Sequence, residues 1–225
     1  MMDFNINHII DICLQSIIFK NMKRDVIYRF LSSSPYRVIF IEKGELIVRE
    51  DEYIDYVGLI LNGEVNVCKY SLGGNETLYS KLTIHEVFNL EVSCTPSKKS
   101  FYNIYATKPT FFLKIDNKQL FEESIFTNEE KLIIYRNIIS CIANTNAKQC
   151  HKIEIVSQKS IRDKIMIYLL VQKSNNNSNK FKISFDRDQL ANYLCINRSV
   201  LSHELSLMQQ EGIIKFKKSE FEILK

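Results

Sequence analysis

The sequence predicts an α+β chain: an all-β first half, then a long helix, then a C-terminal helix-turn-helix with a wing. Three observations predict it. Short runs rich in Val, Ile, Phe and Tyr fill residues 38–115, with turn residues between them. Residues 128–156 place apolar side chains at alternating spacings of three and four. Residues 185–225 join a capping pattern, a second short amphipathic stretch and a basic hairpin.

The β half is read from strand-type runs at 38–41, 45–49, 57–61, 64–70, 77–82, 102–106 and 110–115. Gly44, Gly63 and the pair Gly73-Gly74 fall between runs, where positive φ is wanted, and Asn62-Gly63 is a two-residue hairpin signal. Short strands at regular spacing indicate a sandwich or a barrel-like roll. Helical segments precede them at about 9–17 and 24–31.

The long helix is predicted over 128–156. Leu132, Tyr135, Ile139, Ile142, Ile153 and Val156 follow the heptad spacing, with Asn146 and Gln149 at the two remaining seam sites. A sustained seam of this kind signals a two-stranded coiled coil, and a seam asparagine sets register and dimer state. A further amphipathic helix, 160–172, carries Ile161, Ile165 and Leu169 on one face, and a polar loop follows at 174–179.

The last forty residues are the most specific. Asp186 with Gln189 three places on is a capping box, and Leu190, Ala191 and Leu194 then mark one apolar face. The run breaks at Cys195-Ile196-Asn197, and Asn197 caps a second helix. Val200, Leu201, Leu205 and Met208 are expected to face inward there; Arg198, Ser199, Ser202, His203 and Ser206 are expected to face outward. Gly212 ends this helix, and 213–216 with 221–224 form the wing. A second helix of this type fits the major groove, with its N-terminal residues at base edges. Arg198, Ser199, Ser202 and His203 are therefore the expected base contacts, and Asn197, Lys215, Lys217 and Lys218 the expected phosphate contacts.

Composition agrees with a two-domain globular chain that binds a polyanion. The chain has 225 residues, 45% hydrophobic and 25% charged. From residue 160 onward there are 11 Lys and Arg against 7 Asp and Glu, so the whole excess of +4 lies in that part. No run of about 18 apolar residues suggests a membrane span. Residues 1–8 lack a secretory pattern, so cytoplasmic residence is expected. Cys13, Cys68, Cys94, Cys141, Cys150 and Cys195 are scattered, without a C-x-x-C pair. Neither they nor His8, His85, His151 and His203 show metal spacing, so neither metal nor cofactor is expected. No phosphate-cradling loop or nucleophile elbow is present, which argues against an enzyme. Cys150, beside Lys148, His151 and Lys152, is the thiol whose neighbours suit redox reactivity.

The order of elements resembles the Crp/Fnr family of bacterial transcription regulators. Asp188-Gln189-Leu190-Ala191-Asn192-Tyr193-Leu194 and Asn197-Arg198-Ser199-Val200-Leu201-Ser202-His203-Glu204-Leu205 are similar to the family's helix-turn-helix signature, and Lys43-Gly44-Glu45 and Leu59 to Val65 match its strand–turn glycines. The resemblance implies a jelly-roll-like double-stranded β-roll over 1–127 and a dimerisation helix over 128–157. A winged helix-turn-helix would occupy 158–225. It also implies a homodimer on an inverted repeat of double-stranded DNA, with RNA polymerase as a partner and a β-roll that senses an effector or has lost one. Phe88, Asn89, Leu90, Glu91, Lys98, Lys99 and Ser100 would then line the effector pocket.

The departures from the family pattern matter. Cys195 stands at the family's turn glycine, so that position should avoid the left-handed region or be strained. His203 stands at the second arginine of the recognition helix. The Arg-Ser pair that holds a cyclic phosphate has no match, nor does the iron–sulfur cysteine cluster. Two alternatives stay open: a cyclic nucleotide held by Glu91 with Lys98 or Lys99, and a thiol switch.

Overall fold

In the computed structural model, residues 4–33, 36–121 and 125–225 are described. Helices α1 (Ile6–Gln15) and α2 (Arg24–Ser33) come first, then strands β1 (Arg37–Ile41), β2 (Leu46–Val48), β3 (Tyr56–Asn62), β4 (Glu64–Tyr70) and β5 (Glu76–Thr83). Next come β6 (Val87–Phe88), α3 (Leu90–Ser93), β7 (Asn103–Ala106), β8 (Thr110–Asp116) and α4 (Asn117–Phe121). The strands form two four-stranded sheets, ordered β1-β8-β3-β6 and β2-β7-β4-β5. The two short elements around Val87 to Ser93 lie outside the expected set.

Asn62-Gly63 does not make the expected hairpin. β3 pairs with β6 and β8, whereas β4 pairs with β7, so the glycine turns the chain from one sheet to the other. Gly63 has φ +101°, and a Cβ there would lie 2.4 Å from Thr110 Oγ1. Only glycine fits that corner.

Period-two alternation makes β3 a two-faced strand. Val57, Leu59 and Leu61 join Ile9, Phe19, Phe30 and Ile134 in a core shared with the helices. Gly58 turns the other way and sits under Phe88, whose ring occupies the space of a Cβ. Phe88 meets Phe112 edge-on at 5.1 Å between centroids.

Contacts divide the chain into two units, one of residues 1–69 and 82–145, the other of 70–81 and 146–225. The division falls inside the long helix, α5 (Asn128–Ser157), and not at either of its ends. α5 carries two apolar stripes. One is buried: Ile134 and Ile138 in the first unit, with Asn137 donating to the carbonyls of Ile18 (3.2 Å) and Lys20 (2.7 Å). The other is the heptad seam, and on this single chain it is open. Leu132 is 68% exposed, Tyr135 42%, Ile139 67% and Ile153 64%. Ile142, Gln149 and Val156 are half-buried, and Asn146 is exposed.

The second unit contains α6 (Ile161–Asn176), β9 (Lys180–Lys182), α7 (Arg187–Leu194), α8 (Arg198–Gln210), β10 (Ile214–Lys217) and β11 (Glu220–Ile223). α6 runs four residues past its expected end. Its polar last turn is helix-compatible, and the chain breaks only at Asn177, which takes the left-handed conformation at φ 48°. Leu78, from the tip of the β4–β5 hairpin, is fully buried in this unit's core with Ile155, Tyr168 and Leu194.

Lys152 is the buried charge of this unit, 6% exposed. Its ammonium donates to the Leu78 carbonyl and lies 4.4 Å from the Tyr193 ring centroid. Burial lowers its pKa from 10.5 to about 8, with Cys195 pulling the other way. Below pH 8 the folded unit bears the full penalty of a buried cation. Between pH 8 and 10.5 the unfolded chain holds a proton that the folded chain has released, so stability rises with pH. Buried Tyr168 and Tyr193, both raised above 10, oppose this only once the unfolded tyrosines ionise. The unfolding free energy of wild type relative to Lys152→Met should therefore grow by about 1–2 kcal/mol from about pH 7.5 to about pH 9.5. A pH-independent difference in denaturant melts would contradict this account of the amine.

Candidate nucleic-acid interface

The helix-turn-helix is assembled by local hydrogen bonds that its sequence encodes. The Asp186 carboxylate accepts from the Gln189 amide at 2.8 Å, and the Gln189 side chain accepts from the Asp186 amide at 3.0 Å. This closes the capping box at the start of α7, whose Leu190, Ala191 and Leu194 are buried. Cys195 then takes the left-handed conformation, φ 54° and ψ 47°. A side chain costs about 1–2 kcal/mol there. The cysteine does not divert the turn; it occupies the glycine geometry under strain. The Ile196 amide completes the stop by donating to Ala191 O at 3.1 Å.

Asn197 caps α8, its side-chain oxygen accepting from the Ser199 amide at 2.9 Å and from the Ser199 hydroxyl at 2.7 Å. This occupies the Ser199 hydroxyl, which was expected at a base, and leaves the amide NH2 of Asn197 as its donor toward a phosphate. Arg198, Ser202 and His203 are exposed on the outer face, whereas Leu201, Leu205 and Met208 are buried. Val200 was expected inside but is 40% exposed, because it lies one residue off the Leu201–Leu205–Met208 stripe. Gly212, at φ 69°, ends the helix.

Arg162 of α6 braces this helix, reaching Glu204 at 2.6 Å and Glu211 at 2.7 Å. Those two carboxylates hold its guanidinium above its ordinary pKa.

The wing is a three-stranded sheet ordered β10-β11-β9, not the two-stranded hairpin that was expected. Phe181, Phe216 and Phe221 lie on its inner face, with Phe181 and Phe221 buried. Its outer face alternates in charge. Glu222 lies between Lys215 and Lys180, and Glu220 between Lys217 and Lys182. Lys215 and Lys217 thus each face a carboxylate across the ladder, and Lys218 occupies the turn with φ 54°. Lys180 and Lys182 escaped the sequence reading, although Lys-Phe-Lys alternates as a strand does.

Arg187 and Asp188 at the start of α7 were also missed, because they sit inside a capping pattern. The Arg187 guanidinium lies over Phe216, 5.2 Å from the ring centroid, and donates to the Lys218 carbonyl at 3.4 Å. Burial, then the charge of Arg198, lowers its pKa. Two arginines therefore stand close together, and Asp188 joins them, its Oδ1 lying 3.1 Å from Arg198 Nε. The first turns of the two helices thus bring together a half-buried arginine, an exposed arginine and the carboxylate paired with it.

In the first unit, two of the expected effector residues, Glu91 and Ser100, are engaged with Tyr102, whereas the buried side-chain amide of Asn89 has no hydrogen-bond partner. Phe88, Asn89 and Leu90 are buried, Asn89 with φ 67°. The Glu91 carboxylate accepts from the Tyr102 hydroxyl, and the Ser100 hydroxyl donates to the Tyr102 carbonyl at 2.7 Å. Burial, then Glu91, raises the Tyr102 pKa well above 10. Lys98 is half-buried, its backbone carbonyl accepting from the Ile54 amide at 2.7 Å, and Lys99 is exposed. A cyclic phosphate needs a cation and free donors. Here the carboxylate that the resemblance would set at a ribose is paired with the Tyr102 hydroxyl.

Two family models match the chain: a cyclic nucleotide-binding domain over residues 38–124 and a Crp-like helix-turn-helix domain over residues 163–225. The chain belongs to the Crp/Fnr family. It is therefore a DNA-binding transcription regulator and not an enzyme. Solved structures share the fold of this Crp/Fnr chain. A CooA mutant from Carboxydothermus hydrogenoformans has TM-score 0.72 and 15% identity, covering 100% of this chain and 94% of that one. The c-di-GMP responsive global regulator CLP of Xanthomonas campestris has TM-score 0.67 and 14% identity, covering 90% and 100%. FixK2 of Bradyrhizobium japonicum has TM-score 0.65 and 16% identity, covering 85% and 94%. Comparison with curated proteins gives no match. Among the described residues, no helix is long and apolar enough to cross a membrane, and no cluster of three metal-ligating side chains occurs.

Proposed function

We propose that this regulator acts as a homodimer, paired along the α5 seam, and reads an inverted repeat with Arg198, Ser202 and His203 at base edges. The observation that carries the reading is the open stripe of Leu132, Tyr135, Ile139 and Ile153 at heptad spacing. Large exposed apolar side chains repeating at seam positions mark an interaction surface, and a seam pairs with its own copy. A two-fold dimer then sets two recognition helices about 34 Å apart, one DNA turn. Light scattering should return twice the chain mass of 26.4 kDa at micromolar concentration. A mass of one chain would refute the seam.

The β-roll of this chain works, in our reading, without a cyclic nucleotide. The Glu91–Tyr102 pair supports this, as do the cations of the segment, which are two loop lysines. Adding cyclic AMP or cyclic GMP should leave both the melting temperature and DNA affinity unchanged.

Phosphate affinity falls mainly to the wing turn. Lys215 and Lys217 stand opposite Glu222 and Glu220 across the ladder, which weakens their field, whereas Lys218 has no residue opposite it in the ladder. Lys218→Ala should weaken all DNA sequences alike and reduce the slope of log affinity against log salt by about 0.9. Lys217→Ala should reduce it less. Binding constants at four salt concentrations decide this, and a loss confined to one sequence would contradict a phosphate role.

A further inference from the structure

We infer that Asp188 is a positioning residue for DNA reading, one that orients the Arg198 guanidinium toward a guanine. The inference rests on the proposed role of Arg198 at base edges. Asp188 and Arg198 come from the two different helices of the motif, α7 and α8, and both side chains are about two-thirds exposed at the outer face. Their ion pair is asymmetric. The carboxylate Oδ1 lies 3.1 Å from Nε, so it addresses the inner edge of the guanidinium. Arginine carries five donors in a rigid plane, and the edge opposite such a partner is the Nη1/Nη2 fork. That fork matches the O6 and N7 acceptors of guanine in the major groove.

An exposed ion pair adds little to stability. Asp188 also stands on the surface proposed to meet DNA, where a carboxylate weakens non-specific attraction. A residue that costs affinity and adds little stability has its effect in selectivity. Two features sharpen this. Burial and then the charge of Arg198 lower the Arg187 pKa, so the two guanidiniums repel. Arg187 is itself held over Phe216 and bonded to Lys218 O, so it cannot retreat. Asp188 therefore neutralises the repulsion at the one arginine that is free to turn.

The test measures base preference at each position of a selected binding site, for wild type, Asp188→Ala, Asp188→Asn, Arg198→Ala and the double variant. Arg198→Ala should abolish a preference for guanine of about 5–150-fold at one position. Asp188→Ala should cut that same preference by about 3–10-fold while raising affinity for unrelated DNA about 2–5-fold. Asp188→Asn, which keeps an acceptor oxygen without the charge, should fall between. In the double variant the Asp188 change should no longer alter any base preference. Opposite signs for specific and non-specific binding separate positioning from misfolding, which lowers both. Asp188→Ala with wild-type preferences overturns the inference even if its affinity rises uniformly. Loss of preference at a different base pair from Arg198 overturns it too, since Asp188 would then read a base itself. If Arg198→Ala leaves every preference intact, the base-reading role of Arg198 fails, and the role of Asp188 fails with it.

Discussion

Ile139→Asp should convert the regulator to monomers and lower its affinity for an inverted repeat by about 10²–10⁴-fold, the loss expected when two linked half-site contacts become independent. Ile139 is 67% exposed on the isolated chain and lies near the middle of the apolar seam, away from the buried stripe of Ile134 and Ile138. The substitution places a carboxylate beside its symmetry mate in a desolvated contact, where a like-charged pair is strongly unfavourable. Because the side chain leaves no cavity in its own unit, the monomer should keep its fold. Light scattering together with far-UV circular dichroism reads both halves. A folded dimer would remove the seam, and an unfolded chain would show that Ile139 belongs to the core of its own unit.

Arg198→Ala should cost about 1–3 kcal/mol of specific binding energy and relax one base pair of each half-site. The reasoning is geometric. Arg198 is the first residue of α8, the end that a recognition helix presents to the groove, and Asp188 approaches it at Nε. Ser199, its neighbour, cannot supply the same donors, because its one hydroxyl proton is already donated to Asn197. Competition binding against single-position variants of the site measures the effect. Uniform loss across all variants would reassign Arg198 to phosphate contact.

Much of this was legible in the residues because it is local. The Asp186–Gln189 box, the Asn197 cap and the stop at Gly212 are short-range hydrogen-bonding devices, and each lies where its spacing placed it. The heptads of 128–156 likewise became one helix, Asn128–Ser157. What escaped depends on long-range pairing. Asn62-Gly63 carries a hairpin signature, yet β3 finds its partners further along the chain, pairing Leu59 with Val87 of β6 and Asn62 with Phe111 of β8. Lys180 to Lys182 becomes a strand only because β11 offers it an edge. The second stripe of α5, with Asn137 bonded to the chain after α1, was masked by the seam on the opposite face. At the interface, Arg187 and Asp188 read as capping-region charges, since only the tertiary turn brings α7 against Arg198. Cys195 shows that a chain can keep the turn and bear the strain.

The measurement that tests the central claim most directly is selection of bound sequences from a random DNA pool, using the purified full chain with no added ligand. The account predicts an inverted repeat whose half-site centres lie one DNA turn apart, with a guanine in each half-site whose enrichment disappears in Arg198→Ala. Recovery of a single, unrepeated site would contradict the dimeric reader. Recovery of no enriched sequence would contradict a regulator whose β-roll needs no effector to read DNA.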